Sequence, residues 1–284
     1  MIYLNGAYMP LADARIPILD RGFIFGDGVY EVIPVYSRQA FRLNEHLRRL
    51  QHSLDGIRLA NPHTPAEWQG IIEQVVAGNP WNDQSVYLQI TRGVAPRDHA
   101  FPKNTPPTVF VMSNPLTAPP AELRQTGVSA VTALDNRWLR CDIKSTALLA
   151  NVLLRQLAVD AGAAETLLLR EGYLTEGAAS NIFAVKNGVL LAPPKDHRVL
   201  PGITYDVVLE LAQQHGIPHE VREISEAEVR SADELWLTSS TKEVLPITQL
   251  DGVPVANGQP GPIYAAMYGY YQDFKRTVMR GEQT

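Results

Sequence analysis

The chain has 284 residues, 45% of them hydrophobic and 19% charged, which is typical of a globular protein large enough for two domains. Its formal net charge of -5 gives no electrostatic reason to expect nucleic acid or an anionic membrane surface as a partner. No stretch approaches the ~20 apolar residues of a membrane span, and the N-terminus lacks the features of a signal peptide. Because Cys141 is the single cysteine, an internal disulfide is excluded and a reducing compartment is favoured. We therefore expect a soluble cytoplasmic protein with small-molecule partners.

The first part of the chain predicts an α+β unit. Asn5-Gly6, between two short apolar runs, indicates a hairpin whose two turn residues both take positive φ. Asn44 is expected to cap a helix in which leucines recur at helical spacing, and Thr64-Pro65 is expected to start another. Further strands are predicted over 28–36, 40–43, 86–91 and 108–112.

The second part predicts a strand-rich domain that follows a break in regular structure. The segment Pro115-Leu116-Thr117-Ala118-Pro119-Pro120 suits neither a helix nor a central strand, which makes it the predicted connection. The predicted domains are a small N-terminal α+β domain at 1–114, a linker at 115–124 and a larger C-terminal domain at 125–284. Helices are predicted over 147–161, 203–215 and 263–278, and strands over 128–134, 166–169, 181–185, 189–192 and 235–238.

Lys144 and Glu176 are the first candidates for chemistry. Alone, a lysine between a strand and a helix is most often solvated, and a glutamate in a turn before glycine is most often exposed. Together, a lysine beside apolar Ile143 and a later carboxylate match what pyridoxal phosphate chemistry requires. The amine would react with the cofactor aldehyde, and the acid would pair with the pyridine nitrogen.

A phosphate clamp can also be assembled from separate segments. Gly202-Ile203-Thr204 leads into a predicted helix, whose first backbone N–H groups and the Thr204 hydroxyl would form an anion site. Ser239-Ser240, after a predicted strand, would add donors, and Arg49 would supply positive charge. Each feature has an ordinary structural explanation as a cap, a turn or a surface arginine, so only the combination indicates a site.

The loop after residue 91 contains the predicted substrate carboxylate trap. In extended backbone Arg97 and His99 would point to the same side and grip a carboxylate, with the Tyr30 hydroxyl as a third contact. A solvated loop is the alternative. No metal site is predicted, because Gly216 and Pro218 break the helix that the pair His215 and His219 would need.

Taken in order, these segments closely resemble the fold-type IV pyridoxal-phosphate enzymes, and within them the branch of D-amino-acid aminotransferases. The resemblance covers nearly the whole chain, and the Arg-x-His of Arg97 and His99 is among its more specific parts. The other segments that carry it are Asp20-Arg21-Gly22, Phe25-Gly26-Asp27-Gly28-Val29-Tyr30-Glu31-Val32, Asn44-Glu45-His46, Arg137-Trp138-Leu139-Arg140-Cys141-Asp142-Ile143-Lys144-Ser145, Thr175-Glu176-Gly177, Gly202-Ile203-Thr204 and Thr238-Ser239.

The resemblance implies a two-domain α+β / α/β fold, with a small N-terminal α+β domain and a larger strand-rich C-terminal α/β domain that carries the cofactor lysine. It implies that Lys144 forms a Schiff base with pyridoxal 5'-phosphate and moves a proton between the substrate α-carbon and cofactor C4′. Glu176 would hold the ring nitrogen. The implied phosphate ligands are Arg49, Ile203, Thr204, Ser239 and Ser240.

The implied activity is a ping-pong transamination between D-amino acids and 2-oxo acids, such as D-alanine with 2-oxoglutarate. Tyr30, Arg97 and His99 would bind the α-carboxylate, the last two from the neighbouring subunit, so the implied active unit is a homodimer. The alternatives are a branched-chain L-aminotransferase, an amine transaminase, an aminodeoxychorismate lyase, or a non-catalytic carrier of the cofactor. Two departures from the family, Ala178-Ala179 after Glu-Gly and Pro34 at a position that can hold lysine, predict altered cofactor tuning and weaker use of acidic substrates.

Overall fold

The computed structural model describes residues 1–281, which form parts of two compact units. The first unit comprises Met1–Thr117 and Ile143–Leu148, and the second comprises Ala118–Asp142 and the chain from Leu149 onward. The segment with Lys144 therefore belongs to the first unit, whereas the sequence predicted it within a C-terminal domain at 125–284. The physical reason is pairing, because this segment forms backbone hydrogen bonds with the third strand of the first unit.

The first unit is a six-stranded antiparallel sheet covered by helices. The sheet order is β2-β1-β6-β5-β3-β4. Buried residues of two helices, among them Leu50, Leu54, Trp68 and Ile72, form the core with the apolar face of the sheet. Its elements are β1 (Ile2–Leu4), β2 (Ala7–Met9), α1 (Arg21–Phe25), β3 (Gly28–Tyr36), β4 (Gln39–Ala40), α2 (Leu43–Gly56), α3 (Pro65–Ala77), β5 (Gln84–Thr91) and β6 (Thr108–Pro115).

The predicted hairpin turn and the predicted start of α3 are confirmed, whereas the predicted cap of α2 is wrong. Asn5 and Gly6 take φ values of 47° and 93° between paired strands, as a type I′ turn requires. Thr64 caps α3 in a capping box with Glu67. The predicted cap Asn44 instead lies inside α2, because the chain leaves β4 and enters the helix through Arg42, whose φ is 51°.

The second unit is built on a nine-stranded mixed sheet. The sheet order is β12-β11-β10-β13-β14-β7-β8-β9, and β15 pairs with β14. Its strands are β7 (Val128–Leu134), β8 (Glu165–Arg170), β9 (Tyr173–Gly177), β10 (Asn181–Lys186), β11 (Val189–Ala192), β12 (His219–Val221), β13 (Glu234–Ser239), β14 (Glu243–Leu250) and β15 (Val253–Pro254). Its helices are α4 (Ala121–Thr126), α5 (Leu149–Asp160), α6 (Ile203–Gln214), α7 (Glu226–Arg230) and α8 (Pro262–Phe274).

The predicted strands and helices of the second unit are confirmed in type, with three differences. Glu176 was expected in a turn but lies in β9, which pairs with β8. The end of the predicted linker forms α4. The apolar helix α5 buries only Leu154 and Ala158 and leaves several large apolar side chains exposed. Within residues 1–281, no helix is both long and apolar enough to span a bilayer.

We predict that Gly93, which follows β5 and begins the loop carrying Arg97 and His99, cannot be replaced without strain. Its φ is 91°, and an added Cβ would lie 2.0 Å from the Pro106 carbonyl oxygen. Gly93→Ala should lower the free energy of unfolding by about 1–3 kcal/mol or more, measured by urea denaturation. The control is Gly70→Ala in α3, where nothing lies within 4 Å and alanine should stabilise by roughly 0.5–1 kcal/mol. Equal midpoints for the two variants would contradict the prediction.

Candidate active site

Lys144 is held by backbone contacts within the first unit. The Tyr30 N–H donates to the Lys144 carbonyl oxygen at 2.9 Å, and the Lys144 N–H donates to Ser53 Oγ at 3.1 Å. Buried Ile143 anchors the segment in the core of this unit. The half-buried Lys144 side chain consequently places Nζ 4.3 Å from the centroid of the Tyr30 ring. The predicted nucleophilic amine and the predicted substrate-binding tyrosine are thus neighbours.

Arg49, the predicted phosphate ligand on α2, forms a buried ion pair with Glu31 of β3. Arg49 Nε and Nη2 donate to the two Glu31 carboxylate oxygens at 2.8 and 2.7 Å. His46 Nδ1 lies 2.8 Å from Glu31 Oε2 on the same carboxylate. Sequence reasoning did not identify Glu31 or His46 as members of a site. A signal existed for Glu31, because a charged residue interrupts the buried alternation of Val29 and Ile33 in β3.

The pKa values of Glu31 and His46 are shifted in directions that define the charges in this cluster. Burial alone would raise the pKa of Glu31, but the charge and hydrogen bonds of Arg49, with His46, outweigh it and hold that pKa well below its usual range. Burial lowers the pKa of His46, which favours the neutral imidazole. His46 Nε2 is buried without a hydrogen-bond partner in the part of the chain that the structure describes. This atom has unused capacity to bond to a group that the chain itself does not supply.

Glu176 lies in a second buried charge cluster, in the second unit. Its Oε1 accepts a hydrogen bond from Arg137, whose guanidinium also donates twice to Asp135 at 2.9 Å. Burial raises the pKa of Glu176 to about 7, even though Arg137 and the Leu200 N–H act to lower it. A carboxyl group with a pKa near neutrality is suited to share a proton with a ring nitrogen. Arg137 and Asp135 were not predicted as site residues.

Glu176 is linked to the start of α6 through its second oxygen. Oε2 accepts hydrogen bonds from the Leu200 N–H at 3.1 Å and from Asn181 Nδ2 at 3.3 Å, and the same Asn181 amide donates to the Leu200 carbonyl oxygen at 2.9 Å. At Gly202, the N-cap of α6, an added Cβ would lie 1.9 Å from Asn181 Oδ1. The carboxylate and the helix N-terminus are therefore held as one rigid group.

The N-terminus of α6, the predicted anion site, lies in the second unit. No side chain of the N-cap residue bonds to the first N–H groups of the helix, which include those of Ile203 and Thr204. Both residues are buried at 7% exposure, so the positive end of the helix dipole acts in a partly desolvated setting. An anionic group next to these amides would complete their hydrogen bonding.

The turn between β13 and β14 carries the remaining predicted phosphate ligands. Ser239 and Ser240 are half-buried there, and Ser239 Oγ accepts from the Lys242 N–H at 3.0 Å. The neighbouring Thr238 Oγ1, which the sequence analysis did not assign, is buried without a partner among the described residues. The Thr238 hydroxyl therefore has unused hydrogen-bonding capacity near the end of β13.

The Ala178-Ala179 departure leaves Ser180 as the one hydroxyl in that run, and the structure shows what it binds. Ser180 Oγ donates to Glu165 Oε2 at 2.8 Å, and Glu165 is fully buried. Lys242 Nζ lies 3.4 Å from the same oxygen. The hydroxyl of Ser180 is therefore committed to a buried carboxylate.

Arg97 and His99, on the exposed loop after β5, converge on one ring. The Arg97 guanidinium carbon lies 5.3 Å from the centroid of the Phe25 ring, and the His99 ring centroid lies 5.4 Å from it. The structure therefore brings together two members of the predicted carboxylate trap around Phe25, and places the third, Tyr30, beside Lys144.

Each of the two units contains its own set of predicted site residues. The first presents the Lys144 amine beside the Tyr30 ring, together with buried Arg49, whose charge Glu31 balances. The second presents an anion cradle, unpaired hydroxyl capacity and a buried carboxyl group that titrates near neutrality. Among residues 1–281 there is no group of three histidine, cysteine or acidic side chains placed to hold a metal ion.

We expect the Glu31 cluster to stabilise the fold in a pH-dependent way. Glu31→Gln removes the carboxylate charge to which buried Arg49 donates two hydrogen bonds, and it should cost about 3–5 kcal/mol at neutral pH. Since the folded-state pKa lies below the ordinary value of 4.5, the stabilisation is present above that pH and is lost as the pH falls through the folded-state pKa. Urea denaturation between about pH 7 and about pH 3 should show that the difference in free energy of unfolding between the parent protein and Glu31→Gln becomes smaller as the pH falls.

The matched control for this experiment is Glu45→Gln on the same helix, whose side chain is 37% exposed and pairs with Arg48 at 3.4 Å. It should shift the unfolding midpoint little at any pH. If the difference in free energy of unfolding between Glu31→Gln and the parent protein stays constant with pH, the pKa of Glu31 does not change on folding.

Comparisons with known proteins identify relatives over nearly the whole chain. The model of the class IV amino-transferase family matches residues 28–250. The D-alanine aminotransferase of Bacillus licheniformis is 41% identical over 262 residues, which cover 92% of this chain and 92% of that protein. The D-alanine aminotransferase of Listeria monocytogenes serotype 1/2a is 40% identical over 277 residues, which cover 95% of this chain and 94% of that protein.

Solved structures give the same result. The Escherichia coli branched-chain amino acid aminotransferase matches with a TM-score of 0.90 and 27% identity, covering 100% of this chain and 95% of that one. The branched-chain amino acid aminotransferase of T.th., solved with pyridoxamine 5'-phosphate, matches with a TM-score of 0.90 and 28% identity, covering 99% of this chain and 94% of that one. This chain belongs to the class IV amino-transferases.

Proposed function

We propose that this protein is a pyridoxal-phosphate-dependent D-amino-acid transaminase, which passes the amino group of D-alanine to 2-oxoglutarate in two half-reactions. The observation that carries the proposal is the rigid link between Glu176 and the N-terminus of α6. A carboxyl group with a pKa near 7 and an anion cradle, joined through Leu200 and Asn181, match the ring nitrogen and the phosphate of one cofactor. The D-alanine aminotransferases at about 40% identity support the choice of substrate.

Each predicted residue then has a role that its own surroundings support. When bound, the cofactor supplies an aldehyde and an electron-withdrawing ring that stabilises negative charge at the substrate α-carbon. Lys144 would hold the cofactor by condensing its amine with the aldehyde, with loss of water, and it would move the proton at the α-carbon. Glu176 would keep the ring nitrogen protonated. The phosphate would be bound by Arg49, Ile203, Thr204, Ser239 and Ser240.

The α-carboxylate of the substrate is bound by Tyr30, Arg97 and His99. Arg97 provides a planar guanidinium suited to a carboxylate, and both residues lie on one exposed loop around Phe25. We place these two residues in the active site of a neighbouring subunit, since one chain presents them on its surface. Pro34 adds no charge to β3, which should leave D-glutamate and D-aspartate weaker donors than D-alanine.

A branched-chain L-aminotransferase is the second candidate, because the solved structures that match this chain with TM-scores of 0.90 are branched-chain enzymes. Their identity of 27–28% is lower than that of the D-alanine enzymes. The Arg97 and His99 pair is the feature of this chain that favours the D-specific branch. The donor preference decides between the two candidates.

The deciding experiment follows the visible absorption of the purified, cofactor-loaded protein as donors are added. D-alanine should abolish the band of the lysine-bound cofactor and release pyruvate, and 2-oxoglutarate should restore the band. L-alanine, L-leucine and an aryl alkyl amine are added in parallel. Loss of the band with an L-donor or an amine, and not with D-alanine, would assign the protein to another branch. No loss with any donor would favour a lyase or a carrier.

Lys144→Ala tests the assignment of the lysine in the same assay. The variant should lack the lysine-bound absorption band and lose transamination by orders of magnitude, because both the covalent link and the proton transfer depend on this amine. Lys186→Ala, at the end of β10, is the control and should keep both. A full band in Lys144→Ala would mean that another lysine binds the cofactor.

We also propose that the protein is a cytoplasmic homodimer, in which the exposed face of α5 contributes to the interface. Leu149, Val152 and Leu153 are 73%, 60% and 61% exposed, although apolar side chains of this size are usually buried. Pairing of two copies would remove this area from water. A cytoplasmic location fits the buried free thiol of Cys141, whose pKa burial raises to about 11.

The double substitution Val152→Asp with Leu153→Asp should convert the dimer to a monomer in analytical ultracentrifugation, because charges would have to be buried at the interface. Val253→Asp, at a position that is 65% exposed on β15, is the control and should leave the dimer intact. A dimer that persists in the double variant would exclude α5 from the interface, and a monomeric parent protein would exclude the homodimer.

A further inference from the structure

Asp27, between α1 and β3, joins two buried arginines that the proposed chemistry does not use. Arg21 Nε and Arg92 Nε both donate to Asp27 Oδ2 at 2.8 Å. Arg21 and Arg92 are only 3% and 6% exposed. Burying two guanidinium groups around one carboxylate is costly unless further hydrogen bonds satisfy them. The acceptors of the remaining guanidinium N–H groups of both arginines therefore indicate which part of the chain this cluster fixes.

Arg21 donates its remaining hydrogen bonds to the loop that carries Arg97 and His99. Its Nη1 donates to the carbonyl oxygens of Asp98 at 2.5 Å and Ala100 at 3.3 Å. These are the two carbonyl groups that flank His99 in the chain. A single side chain thus fixes the backbone on both sides of that histidine.

Arg92 holds the far end of the same loop. Its guanidinium carbon lies 3.8 Å from the centroid of the Phe101 ring, a cation–π distance. Its Nη2 and Nη1 donate to the carbonyl oxygens of Ile57 at 2.6 Å and Arg58 at 3.3 Å, where α2 ends. Arg92 therefore ties the loop to the helix end through Phe101.

Phe25, the last residue of α1, supports the side chains themselves. Its ring is approached by the guanidinium groups of Arg21 at 4.9 Å and Arg97 at 5.3 Å, and by the His99 ring at 5.4 Å. The ring lies between a buried, fixed arginine and the two exposed residues. It therefore restricts the positions that Arg97 and His99 can occupy.

We propose that Asp27, Arg21 and Phe25 are positioning residues that preorganise the Arg97–His99 loop for the substrate carboxylate. The inference rests on the proposed function of that loop as a carboxylate trap, and it adds residues that touch no substrate. Arg97 and His99 are exposed, so free side chains would lose rotamer entropy on binding. A fixed loop lowers that cost, and the benefit appears in substrate binding more than in the chemical step.

The test compares cofactor-loaded Asp27→Asn, Phe25→Leu and Arg97→Ala variants with the parent enzyme. KM and kcat are measured with D-alanine and 2-oxoglutarate, and calorimetry measures the Kd of propionate, an unreactive carboxylate. We expect Asp27→Asn and Phe25→Leu to raise KM and Kd about tenfold, as for one lost charge-assisted hydrogen bond, while kcat changes by less than about threefold. Phe25→Leu keeps an apolar side chain and every ion pair, so it carries the test if Asp27→Asn fails to fold.

The control is Asp251→Asn on the surface of the second unit, where the carboxylate also accepts hydrogen bonds from an arginine, Arg230, and from Thr132. It should leave KM and Kd unchanged even if stability falls. The positioning role is wrong if Arg97→Ala raises KM and Kd but the folded Asp27 and Phe25 variants match the parent, or lose kcat alone. If Arg97→Ala itself leaves KM and Kd unchanged, the proposed trap fails instead, and the two failures are distinguished.

Discussion

Backbone pairing along β3 is the constraint on which the arrangement of Tyr30, Glu31 and Lys144 in the first unit depends. Residues 143–148 are distant in sequence from β3, yet they pair with its first residues through the Tyr30 N–H and a bridge from Val29 to Ser145. Close approach is possible because Gly28 lacks a Cβ, which would otherwise lie 2.7 Å from the Ile90 carbonyl oxygen and 3.2 Å from Thr146 Oγ1. The same strand sends Tyr30 toward Lys144 and the neighbouring Glu31 into the core, because successive side chains alternate. One strand therefore places Tyr30 beside the Lys144 amine on one face and Glu31 beside Arg49 on the other.

The two buried glutamates show how environment assigns different tasks to one residue type. Glu31 meets a bidentate arginine and a histidine, so its pKa is held low and it remains a fixed negative charge. Glu176 is equally enclosed, but Arg137 divides its hydrogen bonds between Glu176 and Asp135, and burial raises the Glu176 pKa to about 7. Glu31 is suited to orienting Arg49, whereas Glu176 is suited to sharing a proton. Carboxylates whose pKa values are moved apart in this way are a general mark of acid–base sites.

Charge also explains the loop after β5. The exposed residues of this loop are supported from beneath by the buried guanidinium groups of Arg21 and Arg92. These groups donate hydrogen bonds to backbone carbonyl oxygens. Such contacts hold a loop without any regular structure of its own. Arg21 and Asp27, which belong to two of the segments that carry the family resemblance, form part of this support.

Local signals predicted the fold where they were self-contained. The Asn5-Gly6 turn and the Thr64 capping box each depend on neighbours within a few residues, and both are confirmed. The cap at Asn44 was wrong because the chain direction after β4 required a left-handed residue at Arg42. Glu176 was assigned to a turn because its flanking residues suit one, but pairing with β8, a nonlocal interaction, places it in a strand.

The sequence by itself determined which chemical groups are available: an amine at Lys144, a carboxylate at Glu176, a predicted helix start at 202–204, and an arginine and a histidine two residues apart at Arg97 and His99. Residue identity and order are enough for that, since motifs are local. Only the tertiary structure decided that Lys144 belongs to the first unit, that Glu31 balances Arg49, and that Asn181 and Leu200 lock Glu176 to α6. The physical reason is that pKa values, burial and hydrogen-bond partners arise from contacts between residues far apart in the chain, and no local pattern encodes those contacts.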